Sequence, residues 1–218
     1  MKRTIMVVAS HPDDELLGPG GTLRKLIKDG HEVVTVLTAK GRKEEDHHMR
    51  TFIERANASL GVKEVVWLAL PNLELECAPL HQLNAQLEQL MQLHRPDTVF
   101  THHYGDLNRD HQITFQAVAT AARPIAGKPP VELICFETVS STEWTPASEN
   151  KTFKPNYYVD ITDTMQDKLE ALRHYDVEMR PFPHPRSYEG VEYLARVRGM
   201  TVGVPYGEAF EIVRRVWK

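Results

Sequence analysis

Four ionisable side chains crowd into the five positions His11-Pro12-Asp13-Asp14-Glu15, directly after the short β-branched run Thr4 to Ser10. Carboxylates this close raise one another's pKa and are costly to desolvate. The cluster therefore either lies solvated, as an acidic turn whose Asp caps the next helix, or binds a cation. In the second case His11 and Asp14, three apart across a Pro-containing turn, can converge on one ion and leave Asp13 beside it to handle protons. A second polar cluster runs Thr101-His102-His103-Tyr104-Gly105-Asp106-Leu107-Asn108-Arg109-Asp110-His111-Gln112, again between a strand-like run and a helical pattern. His111 would complete a His-Asp-His set with an open position for water, the arrangement of a catalytic rather than structural zinc centre. Nearly a hundred residues separate it from Asp14, so spacing alone carries no weight. What supports the pairing is a shared address at the strand-to-helix edge of a sheet, where open α/β folds bind ligands. Two histidines and a carboxylate also describe the facial triad of non-haem iron enzymes, and zinc, iron and cobalt compete for such donors.

The elements that must position these residues alternate along the chain. Strand-like runs at Thr4 to Ser10, Glu32 to Ala39 and Glu64 to Leu70 are separated by helical patterns at Thr22 to Asp29 and Glu44 to Leu60. The alternation continues with Leu80, Leu83, Leu87, Leu90 and Met91 at helical spacing, a run Thr98 to Thr101, a helix Gln112 to Ala122 and a run Val131 to Glu137. Such a pattern predicts a mostly parallel sheet covered by helices on both faces, an α/β Rossmann-like three-layer sandwich. That fold argues against the iron reading, because facial-triad oxygenases are built on jelly rolls. Further on, the pattern loosens into a strand at Asn156 to Ile161 and a helix opened by Asp163, with Gln166 in a capping-box position. The Pro-rich stretch Pro181-Phe182-Pro183-His184-Pro185-Arg186 cannot be helical and is expected to form a fixed loop. No linker divides the 218 residues, so residues 1–218 are read as a single domain.

Composition removes several classes. The formal charge is −4 and the 26 Lys and Arg are scattered, so no electrostatic footprint for nucleic acid exists. No run of about 18 apolar residues and no secretory leader is visible, which predicts a soluble, cytoplasmic protein without a membrane span. Cys77 and Cys135 lack a CxxC partner and read as buried thiols. Gly18-Pro19-Gly20-Gly21 is not a dinucleotide loop, since the third glycine is displaced and the second strand ends Leu37-Thr38-Ala39-Lys40 without an acidic residue. No Gly-x-Ser-x-Gly supports a serine hydrolase. His47, His48, His81 and His94 read as solvated. Apolar faces at Val191 to Val197 or Phe210 to Trp217 would suit a homo-oligomer.

The two clusters resemble the motifs of the LmbE-like or PIG-L de-N-acetylases, which read His-Pro-Asp-Asp-Glu near the N-terminus and Asp-His downstream. Also similar are Gly20-Gly21-Thr22, Arg50 ahead of Ala56 and Leu60-Gly61, Ser141-Thr142-Glu143-Trp144, Lys168 to Tyr175 with Glu178, and Pro183-His184-Pro185-Arg186-Ser187. The resemblance implies that His11, Asp14 and His111 bind Zn2+, that Asp13 is the general base, and that a small N-acetylated sugar-like substrate loses its acetyl group. Zinc would lower the pKa of a water to about 7, and Asp13 could take its remaining proton and pass it to the departing amine. A metal-retaining sugar binder without hydrolysis is the alternative; an intact Asp13 argues against it.

One departure stands out. Many members have His-Pro-Asp-His where this chain has Asn108-Arg109-Asp110-His111, and the first His is associated with the oxyanion. Either the Asn108 amide donates there, or His103 or His184 moves in. Asp110 either orients a ligand imidazole or caps the following helix. By resemblance Arg50 reaches a substrate hydroxyl or phosphate; otherwise it is an exposed helix charge. Arg186 suits an anionic or polyol group, or else forms a loop salt bridge. Glu143 and Trp144 can pack on a sugar ring, or form a buried aromatic with a paired acid.

Overall fold

The computed structural model describes residues 2–41, 46–127, 129–148 and 150–216, without the side chains of Asp46 and His47. In β1 (Thr4–Ala9), alternation sends Ile5, Val7 and Ala9 into one apolar layer and Met6 and Val8 into the other. Both sets are buried, so β1 must be an interior strand with helices on each face. Each such side chain contributes about 1.5–3 kcal/mol of burial. β2 (Glu32–Ala39), β3 (Glu64–Leu70), β4 (Thr98–His102), β5 (Glu132–Phe136), β6 (Tyr157–Asp160) and β7 (Gly207–Arg214) complete a sheet of order β3-β2-β1-β4-β5-β7-β6. Every pairing is parallel except those of β7, which runs against both β5 and β6.

One face is covered by α1 (Asp14–Leu17), α2 (Gly20–Lys28), α3 (Asp46–Leu60), α6 (Met165–Leu172) and α7 (Tyr188–Val202), through Leu16, Leu23, Ile53, Leu172 and Val191. The other face is covered by α4 (Leu80–His94) and α5 (Arg109–Ala121), through Leu83, Leu87, Ile113 and Val118. This is the Rossmann-like three-layer sandwich that the alternation predicts.

Several local expectations are corrected. The helix expected over Thr22 to Asp29 begins two residues earlier, as α2, and a short helix that the pattern did not predict, α1, precedes it, with Pro19 at the start of α2 separating the two. A Cβ on Gly18 would run into the Phe136 ring, and one on Gly21 would lie 2.9 Å from Ile161, so close packing explains these glycines. The N-terminus of α2 is occupied by the chain's own carboxylate: Glu208 accepts the N–H groups of Gly21 at 2.9 Å and Thr22 at 2.7 Å, while Lys168 Nζ donates to it at 2.6 Å. The Asp163 capping box does not form; α6 starts at Met165, and Thr164 donates its hydroxyl to the Gly21 carbonyl instead. Phe210 is buried in β7, between β5 and β6, whereas Val213 and Val216 of the same segment are exposed, and Trp217 lies outside the described residues. Of the α7 pair, Val191 is buried and Val197 exposed. Cys77 is exposed rather than buried, and both cysteines are free. His94 is half-buried rather than solvated; His48 and His81 are exposed as expected, whereas the His47 side chain and the expected helix start at Glu44 lie outside the described residues. Among the described residues no helix is long and apolar enough to cross a membrane.

Candidate active site

The connections of β1 and β4 diverge: β1 leads to β2 on one side, β4 to β5 on the other, although β1 and β4 are neighbours. A crevice opens at the carboxyl ends of two such strands. The loop after β1 brings His11, Asp13 and Asp14 to it, and the loop and first turn after β4 bring Asp106, Asn108, Asp110 and His111. Asn108 caps α5, its side-chain oxygen accepting the Asp110 N–H at 2.9 Å.

His11, Asp14 and His111 converge. His11 Nδ1 lies 3.0 Å from Asp14 Oδ2, His111 Nε2 lies 3.2 Å from the same oxygen, and the two ring nitrogens are 3.3 Å apart. These edges match the roughly 3.4 Å separation of donors on a tetrahedral ion with bonds of about 2.0–2.1 Å. All three atoms are suitable donors, so the group fits one small divalent cation. Each imidazole has a carboxylate behind it. Asp110 Oδ2 is 3.0 Å from His11 Nε2, and Asp106 Oδ1 is 3.2 Å from His111 Nδ1. Asp110 also accepts the N–H groups of Leu73 and Leu75, and Asp106 accepts the hydroxyls of Ser141 and Thr142. Of the two roles open to Asp110, the structure places it on the imidazole, with Asn108 serving as the cap.

Charge follows this arrangement. Burial alone would lower the His111 pKa, but Asp14 and Asp106 outweigh it and hold it at about 10. Burial opposes ionisation of Asp14 too, yet His111 and His11 bring its carboxyl well below the usual range. Asp106 is held at about 2, His111 and the two hydroxyls overcoming its burial. Asp13 is pushed up strongly by burial and pulled back by Arg186, whose Nη1 donates to Asp13 Oδ2 at 3.1 Å.

His11, Asp13, Leu73, Asn108, Glu178 and Arg186 line a small, half-open cleft. Arg186 is held between Asp13 and Glu178, the latter at 3.7 Å, so the Pro-rich loop lines the cleft and its Arg is ion-paired there. His184 turns away: its Nδ1 accepts the Arg186 N–H, and its ring meets the half-exposed Trp144 edge-on at 5.8 Å. His103 is buried on Glu211 at 3.5 Å and does not line the cleft. Arg50 is exposed on α3, 3.9 Å from Glu54 and over the Trp67 ring, and does not line the cleft either. Glu143 accepts the N–H groups of Ser140 and Ser141, fixing the turn that carries Trp144.

His102 and Asp106 lie inside the second polar cluster but gain a role only from the structure. His102 Nε2 accepts the Ser10 N–H at 2.8 Å, stapling the ends of β1 and β4, and its ring stacks on His111 at 3.7 Å. Burial lowers its pKa well below the ordinary value, so it stays neutral as that acceptor role requires. Two adjacent histidines give no sign in sequence of which one turns inward.

An open α/β sheet with a His-Asp-His cluster and a buried carboxylate at its switch point defines an enzyme-like site of the single-metal kind. The family model described as PIG-L: GlcNAc-PI de-N-acetylase matches residues 6–122, more than half of the chain, and the chain belongs to that family. It is 27% identical to diacetylchitobiose deacetylase of Thermococcus kodakarensis over 200 residues, 80% of this chain and 69% of that one. It is 25% identical to a probable N-acetyl-alpha-D-glucosaminyl L-malate deacetylase 2 of Bacillus cereus over 187 residues, 79% and 82% of the two chains. The solved structure of N,N'-diacetylchitobiose deacetylase from Pyrococcus horikoshii, complexed with an inhibitor, superposes with a TM-score of 0.75 at 27% identity, covering 97% of this chain and 84% of that one.

Proposed function

We propose that this chain, acting as one domain, is a zinc-dependent hydrolase that removes the acetyl group from an N-acetylated amino sugar or a small glycoside conjugate of one. The triangle of His11 Nδ1, Asp14 Oδ2 and His111 Nε2, with Asp13 beside it in the cleft, carries this reading. Both named deacetylase relatives act, by their names, on N-acetylated glucosamine derivatives, which supports the substrate class. Free Cys77 and Cys135 suit a reducing, cytoplasmic setting.

His11, Asp14 and His111 would hold a divalent ion, which when bound would supply Lewis acidity to the amide carbonyl and to a water. Asp13 takes the proton of that water as its oxygen bonds to the carbonyl carbon. The same carboxyl then delivers the proton to the nitrogen as the C–N bond breaks, leaving acetate and a free amine. Arg186 favours the ionised form of Asp13 against burial, so Asp13 is ready to act as a base. The oxyanion needs a donor in the cleft. With His103 on Glu211, His184 facing Trp144 and Arg186 paired with Asp13 and Glu178, we assign this role to Asn108. Its oxygen is taken by the Asp110 N–H, which leaves its NH2 to donate.

The test is acetate release from a panel of N-acetylated amino sugars and their conjugates. Asp13→Asn is expected to keep its zinc and lose at least about 100-fold in kcat, the scale of a general acid–base group. An Asp13→Asn protein as fast as wild type would overturn the assignment.

A further inference from the structure

Asp13 has φ 105° and ψ −32°, a backbone conformation that a residue with a Cβ rarely adopts. Such a conformation persists only where the surroundings over-determine it. The Asp13 carbonyl accepts the N–H groups of Leu16 and Leu17, and the residue's own N–H is restrained by Glu15, whose side chain is fully buried. Its Oε2 accepts the Asp13 N–H at 3.0 Å, and its Oε1 accepts Asn57 Nδ2 at 3.0 Å and the Tyr175 hydroxyl at 2.8 Å.

The partners are themselves fixed. Asn57, on α3, accepts the hydroxyl of Thr35 from β2 at 2.7 Å and donates to the Ile53 carbonyl at 3.0 Å. Tyr175, also fully buried, lies in the turn Arg173–Glu178, whose last residue lines the cleft and faces Arg186. One carboxylate thus ties the Asp13 main chain to β2, to α3 and to the turn that forms the cleft wall. Every partner named here is a neutral donor. Burying a carboxylate among neutral donors is more costly than burying an apolar side chain of the same size, so packing alone gives no reason for Glu at this position.

We infer that Glu15 is a positioning residue: its carboxylate clamps the Asp13 backbone so that the Asp13 side chain faces the cleft, and it acts on the reaction through Asp13. The inference rests on the hydrolytic reading above. Glu15→Gln keeps the volume but turns an NH2 group toward at least one donor.

Three readouts on the full chain test it. First, in Glu15→Gln, kcat is expected to fall about 10- to 100-fold, the scale of a misplaced catalytic group, with KM changed less than about 2-fold and zinc retained. Second, the double variant Asp13→Asn/Glu15→Gln should be no slower than Asp13→Asn alone, because a residue acting through Asp13 has nothing further to lose. Third, the Asp13 amide proton, shifted downfield by its bond to a carboxylate, should move upfield in Glu15→Gln in an NMR spectrum. A wild-type kcat in folded Glu15→Gln, losses that multiply in the double variant, or an unmoved Asp13 amide would each overturn the clamp. If Glu15→Gln does not fold, Tyr175→Phe, which removes one donor, should show the same pattern with a smaller loss; a wild-type kcat or multiplying losses there overturns it equally. Should the wild-type protein release acetate from no substrate, the hydrolytic reading fails, and the Asp13 amide shift still decides whether the clamp exists.

Discussion

Neither imidazole of the His-Asp-His triangle stands alone, and the groups behind them decide how well they bind. Asp110 fixes which nitrogen of His11 faces Asp14, and Asp106 does the same for His111. Asp110→Asn is expected to weaken zinc affinity about 10- to 100-fold, read by competition with a chromogenic chelator. Equal affinity in the two proteins would show that Asp110 serves only the Leu73 and Leu75 amides. His102→Leu leaves the buried Ser10 N–H without its acceptor, so a loss of about 1–3 kcal/mol is expected in denaturant unfolding. The triangle itself was legible from residue types and from the strand-end address. His102 and the Glu15 clamp were not, because their partners, Ser10, Asn57 and Tyr175, are chosen by tertiary packing. Arg50 and His103 carried functional expectations in the sequence. Their side chains turn to Trp67 and Glu211, and nothing local announces that direction.

The strands and helices that carry the site were legible where hydrophobic periodicity was strong. β1, β2 and β3 fall within a residue of their expected ranges, and α4 contains all five residues read at helical spacing, since alternation in β1 and three- and four-residue spacing in α4 reflect burial directly. Legibility failed where a long-range partner overrides a local signal. Thr164 bonds to Gly21 and displaces the Asp163 capping box, and β7 returns from the end of the chain to sit between β5 and β6. A long-range contact also shapes the turn between α1 and α2, where Gly18 passes against Phe136, whose ring lies 4.8 Å from His102. Gly18→Ala should therefore destabilise the protein by about 1–3 kcal/mol through overpacking, seen as a lower urea midpoint. An unchanged midpoint would mean that Phe136 moves aside without cost.

Fold, charge and metal are linked across the molecule. In the metal-free protein His111 titrates near 10, above its ordinary value of 6.5. A raised pKa contributes stability that is fully present below the ordinary value and is lost as pH rises through the folded one. Metal-free protein should thus lose stability progressively between about pH 6.5 and 10, and zinc uptake near neutral pH should displace a proton from His111. Calorimetry in buffers of different ionisation enthalpy reads that proton directly, and a binding enthalpy independent of buffer would contradict it. The most direct experiment strips the protein with a chelator and returns zinc stepwise while acetate release and bound metal are followed together, for wild type and His111→Ala. Activity that rises to a plateau at one zinc per chain in wild type, and is absent in His111→Ala, is the expected result. Full activity in the stripped protein, or zinc uptake by His111→Ala equal to wild type, would contradict a metal-dependent hydrolase centred on His11, Asp14 and His111.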